Sequence, residues 1–250
     1  MMARADEPSP PPPLPSLAAS NPVGLFIDFD GTLVAIAEGP DAIHVPADLG
    51  SHLIALSRRM NGRMALVSGR SPEDIRRHLG VLPIAVAGSH GAACFDAEGG
   101  ALGRAPQAIS PARMADWREW TEANGMVFEA KSHGAGIHYR SAPDREDMLL
   151  TWAQATAEEN GLAVKRGKKV VELTHRGADK GGAVRRFMGT APFAGCTPVF
   201  IGDDVTDEDG FRAAQELGGF GIAVGERASQ FARYHLGDVS DVHEWLRLND

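Results

Sequence analysis

Phe26-Ile27-Asp28-Phe29-Asp30-Gly31-Thr32-Leu33 is the stretch that decides how this chain is read. With Val23-Gly24-Leu25 ahead of it, it is a short apolar run ending in acid, glycine and threonine. That pattern predicts a strand over Val23–Phe29, buried on both faces of a parallel sheet. Residues i and i+2 point the same way where a strand ends, so Asp28 and Asp30 share a direction. One carboxylate can then attack an electrophile while the other passes a proton to the leaving group. Gly31 and Thr32 let the backbone turn closely around an anion, with amide N–H groups pointing inward.

Outward from that run, strands and helices alternate. A helix is expected over Pro46–Met60, where Leu49, Leu53, Ile54 and Leu56 make one stripe. A second strand, Arg63–Val67, ends in Ser68-Gly69-Arg70. Ser71-Pro72-Glu73-Asp74 reads as a helix start, with Ser71 as N-cap and proline in the first turn. A third strand, Ile84–Ala87, runs into Gly88-Ser89-His90-Gly91. After about Arg104 the rhythm changes. A helix over Ser110–Asn124 precedes strands at Met126–Lys131 and Gly136–Arg140; a helix over Pro143–Asn160 precedes strands at Leu162–Arg166 and Lys168–Leu173. Gly125 and Gly161 stand where helix stops are expected. The first rhythm then resumes: helix from Asp179, strand Thr197–Ile201, helix from Asp207, strand Gly219–Val224, a short strand near Tyr234–Leu236 and a helix through Trp245. The expected fold is α/β, a Rossmann-like parallel-sheet core at 21–106 plus 177–250 with an α+β insert of order αββαββ at 107–176.

Composition bounds the function. The chain has 250 residues, 43% hydrophobic and 23% charged, enough to bury a sizeable core. A net charge of −8 argues against a nucleic-acid binder held by a basic surface. Cys94 and Cys196 are far apart and outside any CxxC pair, so neither a thiolate metal cage nor a disulfide framework follows. Two small buried thiols suit a cytoplasmic protein. No apolar run approaches the roughly 20 residues that span a bilayer. Residues 1–20 lack the apolar stretch of a secretory signal and are proline-rich from Pro8 to Pro15, so a disordered, polyproline-like tail is expected there. A monomer acting on a small molecule is the favoured state.

A second acid cluster, Gly202-Asp203-Asp204-Val205-Thr206-Asp207, ends the fourth strand of the core. Ligands of open parallel sheets bind beyond the carboxyl ends of the strands, at the topological switch point. Acids at such turns commonly serve as helix N-caps, which accounts for one acid per turn. Two clusters, each ending a buried strand, exceed that need. Carboxylates gathered there require a cation, and hard oxygen ligands on short turns suit Mg²⁺, which leaves room for a phosphate oxygen. Ser68 is placed to donate to such an oxygen, and Lys180 sits at a helix start, where the dipole also favours an anion.

The order Asp-x-Asp-Gly-Thr, Ser, Lys, Gly-Asp-Asp-x-x-Asp resembles the haloacid dehalogenase superfamily of phosphatases, a Rossmann-like sheet with a mobile cap. The resemblance implies Asp28 as nucleophile and Asp30 as general acid/base. It implies Thr32, Ser68, Gly69, Arg70 and Lys180 around the phosphate. It places Mg²⁺ on Asp28, Asp203 and the Asp30 main-chain carbonyl, with Asp204 and Asp207 behind them. Ser68-Gly69-Arg70, Gly88-Ser89-His90-Gly91-Ala92, Glu129-x-Lys131, His138-Tyr139-Arg140, Arg166-x-x-Lys169-Val170-Val171-Glu172-Leu173 and the second acid cluster with Glu208 are similar to trehalose-6-phosphate phosphatases. The similarity runs from about Asn21 to the C-terminus and makes the insert at 107–176 a substrate-specificity cap.

A disaccharide is a dense array of hydroxyls, which carboxylates and ammonium groups read well. Glu129, Lys131, Arg166 and Glu172 are therefore the expected sugar contacts, Glu129 and Lys131 sharing one strand face. Other capped sugar phosphatases, acting on sucrose phosphate or mannosyl-phosphoglycerate, stay open on this reading. So does a phospho-accepting signalling domain, which gathers similar acids without a cap.

Overall fold

The computed structural model describes residues 9–36, 43–103, 109–131, 134–167 and 169–248. The first eight residues of the expected tail, the boundary near residue 106 and Lys168 lie outside them. The chain divides into two compact units, Met1–Arg104 with Asp179–Asp250, and Ala105–Ala178. The larger unit opens with α1 (Leu14–Ser20), β1 (Val23–Ile27), α2 (Leu49–Arg59), β2 (Met64–Val67), α3 (Pro72–Leu79), β3 (Ala85–Gly88) and β4 (Ala93–Phe95). The smaller unit holds α4 (Pro111–Ala123), β5 (Val127–Lys131), β6 (Gly134–His138), α5 (Glu146–Asn160), β7 (Leu162–Gly167) and β8 (Val170–His175). The larger unit then resumes with α6 (Lys180–Met188), β9 (Thr197–Gly202), α7 (Glu208–Glu216), β10 (Phe220–Val224), β11 (Ala232–Leu236) and α8 (Val239–Leu246).

The larger unit's sheet runs β11-β10-β9-β1-β2-β3-β4, parallel throughout except for β4. From β1 the chain steps outward through β2 and β3; from β9 it steps the other way through β10 and β11. The switch point therefore falls between β1 and β9, where Ile27 pairs with Ile201. Every residue of β1 is buried. Leu25 and Ile27 pack on one face with Leu53, Leu56 and Ile222. Phe26 packs on the other with Phe187, Phe193 and Phe200, its ring stacked on Phe193 at 5.3 Å. Burying each such side chain contributes about 1.5–3 kcal/mol, so the sheet centre is a rigid base for the turns that leave it. Ser71 caps α3 as expected, its side chain accepting from the Asp74 N–H at 3.1 Å.

Two expectations are corrected. Residues 14–20 are not a disordered tail: they form α1, Leu14 is buried in the core cluster, and the Trp245 indole N–H donates to the Pro12 carbonyl at 2.9 Å. A proline-rich run keeps its carbonyls as acceptors, and one buried leucine supplies the apolar anchor. The strand β4 was not expected. It returns antiparallel to β3 through Ser89, His90 and Gly91, all at positive φ, and three residues are too few for a period to be read.

In the smaller unit the sheet order is β5-β6-β8-β7, all antiparallel. Trp117 of α4 and Leu149 and Ala153 of α5 pack with Ile137, Val171 and Leu173, leaving the other sheet face polar. Among the described residues, no helix is long and apolar enough to cross a membrane.

Candidate active site

The adjacent ends of β1 and β9 bring the two acid clusters together. The Asp28 N–H donates to the Ile201 carbonyl at 2.9 Å, continuing the ladder one residue past β1. Gly31, at φ +78°, then turns the chain so tightly that a Cβ there would overlap the Asp203 carboxylate. Carboxylate oxygens of Asp28, Asp203 and Asp207 lie within 4.8 Å of one another. Between two of them stands the ammonium of Lys180, 2.8 Å from Asp28 Oδ1 and 2.6 Å from Asp207 Oδ1. Lys180 is the first residue of α6, whose N-cap Asp179 accepts from the Gly182 N–H at 2.7 Å.

Asp28, Asp207 and Lys180 are all buried. Burial, with the charge of Asp207 beside it, pushes the Asp28 carboxyl well above the usual carboxylate range, against the pull of Lys180. Burial also raises Asp207, again against Lys180. Asp203 is pushed up to about 6, by burial first and the charge of Asp207 second. Burial opposes the charge on Lys180, but Asp207 and Asp28 outweigh it and hold the ammonium protonated. Three carboxylates around one ammonium leave two negative charges uncompensated, which is the charge of one divalent cation. The donors are all hard oxygens, so this set fits Mg²⁺. Asp207 has one oxygen on Lys180 and the other on the Asp204 N–H, at 2.9 Å, and exposed Asp204 caps the turn, its side chain accepting from the Asp207 N–H.

The remaining residues expected at the phosphate lie on the same strand ends. Ser68, fully buried just past β2, accepts from the Arg70 N–H at 3.1 Å. Thr32 Oγ1 donates to Asp203 Oδ1 at 3.4 Å. Gly69 has the His90 ring against its Cα, where a Cβ would come within 2.7 Å. Arg70 forks onto Asp30, with Nε 2.7 Å from Oδ2 and Nη2 2.8 Å from Oδ1, and its Nη1 is 2.6 Å from Asp74 Oδ2.

In the smaller unit, Glu129 is opposite Gly136, which is opposite Glu172, which is opposite Lys165. These positions share one sheet face with Lys131 and His138, two residues along. Lys131 pairs with Glu172, and His138 Nε2 lies 2.8 Å from Glu129 Oε2. Arg166 does not join them. It is opposite Val171, on the helix-covered side, and its Nη2 is 2.6 Å from Glu146 Oε1 at the start of α5. Strand parity carried the signal: counting by twos from buried Leu162 through Val164 puts Arg166 on the core side and Lys165 on the polar one.

A family profile for trehalose-phosphatases matches residues 26–235. The trehalose-6-phosphate phosphatase of Escherichia coli is 40% identical over 228 residues, covering 89% of this chain and 85% of that protein. The chain belongs to the trehalose-phosphatase family. As a member it is a phosphatase. Among solved structures, the C-terminal domain of the trehalose-6-phosphate phosphatase of C. albicans shares the fold at TM-score 0.73 and 23% identity, covering 98% of both chains. A haloacid dehalogenase-like hydrolase from B. subtilis shares it at TM-score 0.64 and 16% identity, covering 89% of this chain and 98% of that one.

One residue beside the acid clusters escaped the sequence reading. Arg227, in the loop between β10 and β11, reaches back to the turn after β9, and Glu208 at the start of α7 receives it. Glu208 was legible as part of the acid-rich motif. A lone arginine in Gly225-Glu226-Arg227-Ala228 carries no periodic or spacing signal.

Proposed function

We propose that this chain hydrolyses trehalose 6-phosphate to trehalose and phosphate, with Mg²⁺, through an aspartyl-phosphate on Asp28. The observation that carries the reading is the buried Lys180 bridging Asp28 and Asp207 beside Asp203. Lys180 stands 2.8 Å from one Asp28 oxygen and aims it, favouring its ionised form against burial, which favours the protonated one. Asp28, Asp203 and the Asp30 main-chain carbonyl would hold the cation. When bound, Mg²⁺ supplies charge neutralisation for the phosphoryl oxygens.

The chain's own groups do the rest. Ser68, Thr32, Lys180 and the amides around Gly69 and Arg70 receive phosphoryl oxygens. An Asp28 oxygen attacks phosphorus in line as the bond from phosphorus to the sugar oxygen breaks, and Asp30 gives that oxygen its proton. Asp30 then takes a proton from water, whose oxygen attacks phosphorus. The bond to Asp28 breaks and phosphate leaves. Most of the rate comes from positioning and charge neutralisation. Glu129, Lys131 and Glu172, on one polar sheet face, are the proposed readers of sugar hydroxyls. Arg166, on the opposite face, is left out of that set. Free, buried Cys94 and Cys196 support a cytoplasmic setting.

The test is phosphate release from a panel holding trehalose 6-phosphate, sucrose phosphate and mannosyl-phosphoglycerate, with Asp28→Asn as the blank. Trehalose 6-phosphate should be turned over fastest, chelation should stop the reaction and Mg²⁺ restore it. An active Asp28→Asn protein, or preference for another sugar, overturns the reading.

A further inference from the structure

The Asp203–Asp204 turn is held from outside by Arg227. Its Nε donates to the Asp203 carbonyl at 3.1 Å, and its Nη2 donates to the Asp204 carbonyl at 3.1 Å and to Glu208 Oε1 at 2.8 Å. Its Nη1 donates to the Ala228 carbonyl at 3.0 Å. Glu208 is anchored in turn: Oε2 accepts from Ser229 Oγ at 3.0 Å and from the Phe231 N–H at 3.1 Å.

The consequence lies in one peptide plane. The Asp203 carbonyl and the Asp204 N–H belong to the same peptide unit. Arg227 holds the carbonyl end, and Asp207 Oδ2 holds the N–H end at 2.9 Å. A planar unit pinned at both ends cannot rotate. Its orientation fixes the direction of the Asp203 side chain relative to Asp207 and Lys180. Without the outside grip, repulsion among Asp28, Asp203 and Asp207 favours swinging half-exposed Asp203 toward water.

We propose that Arg227 is a positioning residue that pre-aims Asp203 at the divalent-cation site. This rests on the Mg²⁺-dependent phosphatase reading. A guanidinium is required, because its fixed fork reaches two successive carbonyls and a carboxylate at once, whereas an ammonium is a single point.

The experiment is calorimetric titration of the full-length chain with MgCl₂ in the absence of substrate, for wild type, Arg227→Ala and Arg227→Lys. Melting temperatures and steady-state kinetics accompany it. Loss of groups that orient a metal ligand typically weakens metal affinity about 10–100-fold. Arg227→Ala should raise the Mg²⁺ dissociation constant about tenfold or more, with Arg227→Lys between it and wild type. At saturating Mg²⁺, kcat should return to within a few-fold of wild type and KM for the sugar phosphate should stay put. A merely structural arginine would lower the melting temperature and leave Mg²⁺ affinity unmoved. Should Arg227→Ala not fold, Arg227→Lys decides. Variants binding Mg²⁺ within twofold of a wild type that binds it overturn this proposal alone. A wild type that hydrolyses sugar phosphate without binding Mg²⁺ overturns the metal reading and this proposal with it.

Discussion

Arg70 grips both carboxylate oxygens of Asp30, Nε at 2.7 Å from Oδ2 and Nη2 at 2.8 Å from Oδ1. The hydrogen bond to Asp30 raises the affinity of the guanidinium for its proton, against the cost of burial, and Asp74 adds to it. The proposed acid/base is thus aimed by a planar fork whose far corner is tied to α3. A lysine cannot reproduce two parallel bonds to one carboxylate. General acid–base catalysis contributes about 10²–10⁴-fold, and a misaimed carboxylate forfeits part of it. Arg70→Lys should therefore lower kcat on trehalose 6-phosphate about tenfold or more, with the Mg²⁺ dissociation constant unchanged. Steady-state kinetics across Mg²⁺ concentrations checks this; a kcat within twofold of wild type sinks it.

The buried trio of Lys180, Asp28 and Asp207 makes a prediction about stability. Removing one partner of a buried pair strands the other charge and costs about 3–5 kcal/mol. Lys180→Met removes the partner of two carboxylates at once. Their upward shift by burial lets them take up protons and recover part of the cost. The loss should be about 3 kcal/mol in urea unfolding at neutral pH and smaller in acid. Equal losses at both pH values would mean that packing, not charge, is what Lys180 supplies.

How far the sequence reached follows from what each feature depends on. Asp28 and Asp203 were legible because each ends a run of apolar residues that can only be a buried strand, and parallel strands deliver their ends to one edge. Ser68 and Lys180 were legible by their order between those runs. Arg70 was legible as a site residue, but its fork onto Asp30 depends on two side-chain conformations that no spacing encodes. Arg227 acts on residues more than twenty positions upstream, through a loop without periodicity. Arg166 was grouped with Glu129, Lys131 and Glu172 by residue type alone, without the parity of β7 that sets it on the opposite sheet face. The run at Ser9–Ser20 was read from composition alone, and composition does not register a single buried Leu14.

Proton and metal compete for Asp203. Its carboxyl is raised to about 6 from an ordinary 3.8, by burial and by the charge of Asp207. In the metal-free protein the folded state therefore holds this proton at pH values where the unfolded chain has released it. The contribution of Asp203 to stability falls as pH rises from about 4 to about 6, since proton binding by the folded state is then the larger. A cation reverses the preference, because it binds only the carboxylate. The rise in melting temperature caused by Mg²⁺ should be small at pH 5, grow through pH 6 and level off above pH 7. Calorimetry at pH 6 should show proton release on Mg²⁺ binding. A Mg²⁺-induced shift independent of pH from 5 to 8 would remove Asp203 from the ligand set.

The N-terminal segment tests whether docking serves stability apart from chemistry. Leu14 is 5% exposed within the cluster that holds Leu53, Leu56 and Leu246, on the sheet face away from the Phe26 cluster. The Trp245 bond to the Pro12 carbonyl fixes the approach to it, and the His235 N–H donates to the Ser9 carbonyl at 3.1 Å. Cutting a buried leucine to alanine costs about 2–5 kcal/mol, with the low end expected where the surroundings can collapse. Leu14→Ala should lose about 2 kcal/mol in urea unfolding while kcat and KM at 25 °C stay at wild-type values. A disordered tail would give no loss at all. A loss of activity at unchanged stability would instead tie α1 to the site, through α8, whose His243 Nε2 lies 2.8 Å from the Leu33 carbonyl next to Thr32.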